Sequence, residues 1–411
     1  MFSRLLHSLA SLPASYERPL SRAYIPELDG LRFIALILVM FWHASIRATR
    51  YSESNGMTSG FYWFFPHGEV GVLLFFFISG YVVSQPFLNR PSSQWRVASF
   101  YLSRFIRIYP PYLVALTFCY LVLRVAGHVP ANASSYNSSN ISLTASYLAS
   151  LFYAHGFVFN VPSRLNPPIW SLEIEIVFYA LAPMALYVYT RISSRTRRIW
   201  LLGAVIAGLL VFTAIASSRF DIEDGFRWGA LINSYLFLLG ILAADISGDR
   251  ISRPRVKRFR FDGLFVAGFI GLLAVGLQMT QVDADLPGGW LTLLLEMSIV
   301  LFLALIFVGA FYGRRSSQFL SLPWIRLIGT MCYSIYLTHI VAMQATSEVI
   351  GRMLHLTSPW AIWSVWLCVL IPISLICGLV FYRFVERPCA AAAQRRPATS
   401  TVIEPPKPSI P

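Results

Sequence analysis

Long apolar runs separated by short polar connectors organise nearly the whole chain. A helix needs about 20 predominantly apolar residues to cross a bilayer. Ten stretches approach or meet this length: Leu31–Ile46, Gly68–Leu88, Phe105–Ala126, Trp170–Thr190, Ile199–Ser217, Trp228–Ser247, Gly263–Thr280, Trp290–Tyr312, Ile325–Ile350 and Ala361–Phe384. A shorter stretch, Leu143–Phe159, is dotted with Ser, Thr, His and Gly and reads as re-entrant or interfacial. The pattern predicts an all-α integral membrane protein, a polytopic bundle of about ten transmembrane helices.

Composition narrows the class. Of 411 residues, 56% are hydrophobic and 13% charged, too little charge to cover a water-facing surface. A soluble enzyme, a nucleic-acid-binding domain and a disordered scaffold are excluded as readings of the whole chain. The net charge of +14 therefore belongs to membrane orientation, not to a nucleic-acid partner. With ten helices and the N-terminus inside, the cytoplasmic segments hold 26 Lys and Arg and the opposite side six, Arg47, Arg50, Arg164, Arg219, Arg227 and Arg352. That asymmetry predicts both termini cytoplasmic. Residues 1–27 form a cytoplasmic segment, 28–388 the membrane domain and 389–411 an Ala- and Pro-rich tail expected to be disordered.

The connectors add little chemistry. Cys119, Cys332, Cys368, Cys377 and Cys389 lie in apolar segments or just past the last one, which predicts neither a disulfide framework nor a metal site. Arg4, Arg18 and Arg22 interrupt the start of the chain, so no cleavable signal peptide is expected. The polar loop 127–140 carries N-x-S matches at Asn132, Asn137 and Asn140, which matter only in a eukaryotic secretory membrane. No internal repeat of the kind many transporters carry is evident.

Ionisable groups inside a bilayer cost several kcal/mol unless a cavity or partner receives them, so the exceptions mark candidate chemistry. Asp29-Gly30-Leu31-Arg32 leads to His43 after eleven residues, three turns and about 16 Å along one face. A snorkelling Arg32 and an interfacial His43 are the structural alternative. Arg104 and Arg107, at i and i+3, project two guanidinium forks to one side, suited to phosphate or to ordinary anchoring. Glu173 and Glu175 follow Trp170 about 200° apart, so one pocket cannot take both, whereas Glu175 and Tyr179 share a face. On a continuous helix from Arg326, His339 lies about 20 Å up, level with His43 and Glu175, and shares a face with Tyr336. Helix-packing hydrogen bonds are the alternative for that pair. The depths predict two histidines and a glutamate in the outer half and an arginine cluster at the inner mouth. This arrangement suits transfer of a group from a phosphate-bearing cytosolic carrier.

From about Leu28 to Pro388 the chain resembles the membrane acyltransferase 3 family of bacterial O-acylating enzymes. The likeness rests on Asp29-Gly-Leu-Arg32 with His43, on Gly71–Tyr81 with its Ile78-Ser79-Gly80-Tyr81, and on Arg104-x-x-Arg107-Ile-Tyr-Pro110. It continues in Trp170-Ser171-Leu172 with Glu175 and Phe178-Tyr179, in Cys332–His339, and in Glu386-Arg387-Pro388. Leu73 stands where many members carry an acidic residue, with Glu69 four positions earlier, and Cys332 replaces a common Ser. The soluble esterase-like domain of some members is not expected here.

The resemblance implies an acyl-CoA-dependent O-acyltransferase, acetyl-CoA being the expected co-substrate, with no tightly bound cofactor and no metal. Arg104 and Arg107, with Arg32, would bind CoA phosphates; His43 would take the acceptor hydroxyl's proton; Glu175 would orient protonated His43 or bind acceptor hydroxyls. Trp170, Tyr336 and His339 are candidates for the carbohydrate acceptor. An acyl-histidine relay through His43 stays open. So does a flippase for a lipid-linked sugar, or an export scaffold without chemistry.

Overall fold

The structure, a computed structural model, describes residues 24–54, 56, 64–126, 141–219, 229–248, 258–281, 289–354 and 356–395. These are helical with short connectors. Helix α1 spans Pro26–Ser54, α2 Glu69–Leu88 and α3 Val97–Ala126, followed by the short α4 (Leu143–Leu151) and α5 (His155–Phe159). Then come α6 (Trp170–Arg191), α7 (Arg195–Arg219), α8 (Gly229–Ile232), α9 (Ser234–Ser247), α10 (Asp262–Gln281) and α11 (Trp290–Tyr312). The chain closes with α12 (Arg314–Leu320), α13 (Pro323–Thr330), α14 (Cys332–Met353), α15 (Pro359–Phe381) and α16 (Arg387–Arg395). Among the described residues nine helical stretches are long and apolar enough to cross a membrane, or ten if the bent pair α13–α14 is one span.

Three expectations change. The predicted helix Ile325–Ile350 is two helices bent by 73° at Met331. The predicted helix Trp228–Ser247 is interrupted at Asn233. The tail is helical through Arg395, where α16 packs on α3; residues 396–411, and the three asparagines of loop 127–140, lie outside the described residues.

Central α1 touches α2, α13, α14 and α15. Helix α2 packs so closely on α9 that an added Cβ at Gly80 would meet the Phe237 carbonyl, and one at Gly240 the Phe77 carbonyl. Small residues let helix backbones approach where lipid supplies no hydrophobic drive. Apolar side chains remain exposed along α11 at Trp290, Leu294, Met297 and Leu301, a helical stripe. In water such a stripe would be costly; against acyl chains it is the expected outer surface. Buried Asp245 on α9 is bound by Arg198 of α7 at 2.6 Å through both oxygens and by Tyr189 of α6 at 2.7 Å, a charged clamp between three helices.

Two buried carboxylates fix the bend between α13 and α14. Asp29 accepts from Thr330 Oγ1 at 3.1 Å, and Gly329 brings α13 against the Asp29 carbonyl, where any Cβ would collide. Glu386, in the π-helical turn Tyr382–Glu386, accepts from Ser334 N at 3.1 Å and Ser334 Oγ at 2.6 Å. A broken helix exposes the first N–H groups of its second half; Glu386 satisfies one of them.

Candidate active site

At the N-terminal end of α1, Arg32 Nη1 pairs with Asp29 Oδ1 at 2.7 Å, and Asp29 also accepts from Tyr24 Oη at 2.9 Å. The arginines of α3 come to the same place. Arg104 lies 5.0 Å over the Tyr179 ring, Tyr179 and Cys332 lie within electrostatic range of Arg32, and Cys332 within that of Arg107. Arg32, Arg104 and Arg107, separated by up to 75 positions, thus gather near Tyr179 and Cys332.

Glu175 belongs to this cluster. One of its oxygens accepts from both Ser79 Oγ of α2 and Tyr179 Oη, one turn on along α6. Glu175 was expected to orient His43 or to bind acceptor hydroxyls; the ring beside His43 is that of His339, with centroids 5.2 Å apart and planes at 49°. The bend at Met331 shortens the path along the helix to His339. His339 is seven residues up α14, about 10 Å from its start, not 20 Å up a straight helix.

The two imidazoles have different surroundings. Buried His339 donates Nδ1–H to the Tyr336 carbonyl at 2.8 Å, since a carbonyl can only accept, and this tautomer leaves Nε2 as an acceptor without a hydrogen-bond partner. Half-buried His43 has no hydrogen-bond partner among the described residues. Buried polar groups are nearly always satisfied, and two open imidazoles side by side within a bundle are the groups expected to meet a reactant.

Between the clusters, Tyr336 Oη donates to the Pro168 carbonyl at 2.7 Å and lies 2.7 Å from Ser171 Oγ. Asn166 Nδ2 donates to the Leu337 carbonyl at 2.9 Å. The Asn166–Ser171 segment is thereby clamped to α14, and Tyr336 is a clamp instead of a free hydroxyl. Trp170 sits edge-on to Phe76 at 6.3 Å, on the α2 side of that clamp. The second carboxylate, Glu173, accepts from His155 N at 3.2 Å and Gly156 N at 2.8 Å, capping α5. The 200° separation of Glu173 and Glu175 thus directs one to scaffold and the other to the arginine cluster.

The family described as Acyltransferase domain, acyltransferase 3, matches residues 25–383. The chain belongs to this family. It is 27% identical to the peptidoglycan O-acetyltransferase OatA of Listeria monocytogenes over 90% of this chain and 56% of that protein. It is 24% identical to the acyltransferase MdmB of Streptomyces mycarofaciens over 93% of this chain and 95% of that protein. It is also 24% identical to nodulation protein 10 of Rhizobium leguminosarum bv. viciae, over 82% and 86% respectively. The chain spans only about half the length of the Listeria relative. No solved structure matches.

In this family member several site residues escaped sequence reasoning. Ser79 lay within a quoted motif, yet nothing local marks a helix serine as a partner for a glutamate 96 positions away. Tyr179 was visible as the i+4 neighbour of Glu175, but its contact with Arg104 was not. At the entry to α2, His67 Nδ1 lies 3.7 Å from Glu69 Oε2, and its ring 4.4 Å from Trp42, next to His43. Burial lowers the His67 pKa to about 4. The carboxylate at Glu69, four positions before Leu73, thus lies beside a neutral histidine whose Nδ1 accepts from the Glu69 backbone N–H at 3.4 Å.

Proposed function

We propose that this chain is a multi-pass O-acyltransferase of the cell (inner or plasma) membrane that moves an acyl group, acetyl in the simplest case, from acyl-CoA to a hydroxyl of a carbohydrate or glycosylated acceptor. The observation that carries this reading is the pair of open imidazoles, His43 and His339, eleven residues along α1 from Arg32, near which Arg104 and Arg107 also gather. The names of the relatives, two of them O-acetyltransferase and acyltransferase, support the same chemistry. With both termini cytoplasmic, the arginine cluster faces the cytosol and takes the CoA phosphates. Arg104 and Arg107 supply the forks, and Arg32 is oriented by Asp29.

The pantetheine arm lies along α1 and presents the thioester at His43. The acceptor oxygen attacks the thioester carbonyl carbon; a C–O bond forms and the C–S bond breaks. His43 takes the hydroxyl proton and returns it to the departing CoA thiolate, and the neighbouring His339, with its Nε2 lone pair available, holds His43 in its protonated form. Glu175, fixed by Ser79 and Tyr179, stands between the arginines and the clamp at Tyr336 and shapes the passage.

The test compares a deletion strain carrying wild type with one carrying His43→Ala at matched protein level. Cell-envelope glycans and secreted glycosides are analysed by mass spectrometry before and after mild alkali. An alkali-labile acyl ester present only with wild type is expected. No difference between deletion and wild type would sink the enzyme reading, and an ester that survives His43→Ala would remove the catalytic assignment alone. Incorporation of label from acetyl-CoA into that ester by membranes checks the donor.

A further inference from the structure

Helix α1 continues past His43 with Arg47 and Arg50, at i+4 and i+7 on the same face. Arg47 is half-buried, within electrostatic range of both His43 and His339, and has no hydrogen-bond or ion-pair partner among the described residues. Glu348 of the adjacent α14 lies within electrostatic range of Arg47 but forms no ion pair with it, and it accepts from Gln344 Nε2 at 2.6 Å. The Gln344 Oε1 atom is buried without a partner. Arg32, by contrast, is paired with Asp29 at 2.7 Å. With Glu348 beyond ion-pair distance, a half-buried guanidinium held beside two imidazoles without a hydrogen bond is an arrangement that an anion would complete. The donor's phosphates do not, since Arg47 is fifteen residues and about 22 Å along α1 from Arg32.

We infer that the region where α1 passes α14 beyond His43 is the acceptor subsite, and that Arg47 there grips an anionic oxygen group of the acceptor, a carboxylate or a phosphate. The substrate class is then an acidic or phosphate-bearing glycan, acylated on a hydroxyl near its charge. This rests on the acyltransferase reading for the identity of the reaction, but not for the binding. Arg47 offers two parallel N–H donors to a planar carboxylate or a phosphate, which fixes the neighbouring hydroxyl against His43. Gln344 Oε1 is placed to accept from a sugar hydroxyl.

Binding and transfer are measured separately on the full chain in detergent. Methyl glucuronide and glucose 1-phosphate are the anionic probes, and methyl glucoside is the neutral one. In the binding arm, the anionic probe raises the melting temperature saturably in wild type and not in Arg47→Gln, with Arg47→Lys in between. Absence of any shift in wild type overturns the subsite whatever the activity. Loss of the shift on adding phosphatidylglycerol would assign Arg47 to a lipid headgroup and overturn it too. In the transfer arm, with labelled acetyl-CoA, kcat/KM favours an anionic probe over methyl glucoside by about tenfold. That preference falls to about twofold or less in Arg47→Gln, through KM. Equal turnover of charged and neutral probes rejects the inference. Binding without any transfer would spare the subsite and count against the acyltransferase reading instead.

Discussion

The rings of His43 and His339 stand 5.2 Å apart, brought together from positions 296 residues apart by the packing of α14 on α1. Positioned general-base groups contribute roughly 10²–10⁴-fold to a rate. His43→Ala is expected to lower kcat by at least about 10²-fold. His339→Asn keeps a short polar group but removes the Nε2 acceptor, so its loss should be smaller and appear in kcat with KM for both substrates little changed. Equal activity of wild type and His43→Ala at matched protein level would reject the pairing as catalytic.

The arginine cluster makes a different prediction. Arg107→Gln is expected to raise KM for acyl-CoA by about tenfold, the equivalent of ~1.4 kcal/mol, with kcat nearly constant. Arg107→Lys, a point charge without the fork, should lie between. A change confined to kcat would contradict the donor assignment.

Ser79 and Tyr179 converge on one oxygen of Glu175, so their substitutions should not add. In a double-mutant cycle of Ser79→Ala and Tyr179→Phe, an interaction energy of about 1 kcal/mol in transition-state stabilisation is expected, within the range for groups sharing a network. Strict additivity would show that Glu175 is not a shared acceptor in the working enzyme.

Glu173 is expected to be a stability residue. Glu173→Ala leaves the buried N–H groups of His155 and Gly156 without an acceptor, at about 1–3 kcal/mol each. A lowered melting temperature and faster proteolysis between α4 and α6 should accompany it, with residual activity per folded molecule close to wild type. Loss of activity without loss of stability would move Glu173 into the reaction.

His67 gives a pH dependence. Its folded pKa of about 4 lies below the ordinary 6.5 because burial disfavours the cation. The unfolded chain therefore binds this proton more readily as pH falls. Stability from neutral His67 is complete above about pH 6.5 and is lost progressively towards pH 4. The melting temperature should fall across that window, and His67→Gln should flatten the fall. An unchanged profile in that variant would assign the acid sensitivity elsewhere.

Much of the architecture was legible in the sequence for a simple reason. In a bilayer every backbone polar group must be satisfied within its own segment, so an apolar run of about 20 residues has little alternative to a spanning helix. Hence the ten stretches correspond one to one with helices or helix pairs. The interruption at Asn233 and the bend at Met331 leave no gap in hydropathy, and both passed as continuous helix. The bend depends on Glu386 reaching Ser334 across 52 residues, which no local pattern reports.

What the sequence by itself determined is the membrane class, the succession of helices and the residue types that a bilayer would not tolerate without a partner. Single-helix geometry also separated Glu173 from Glu175 and joined Glu175 to Tyr179, because a 100° step per residue is a local property. The tertiary structure decided which of these groups meet. It put Glu175 with Ser79 and Tyr179, made Tyr336 a clamp, paired His43 with His339, and left Arg47 beside them. Contacts between helices are set by where backbones cross and bend, and those crossings depend on small residues and buried caps far apart in the chain.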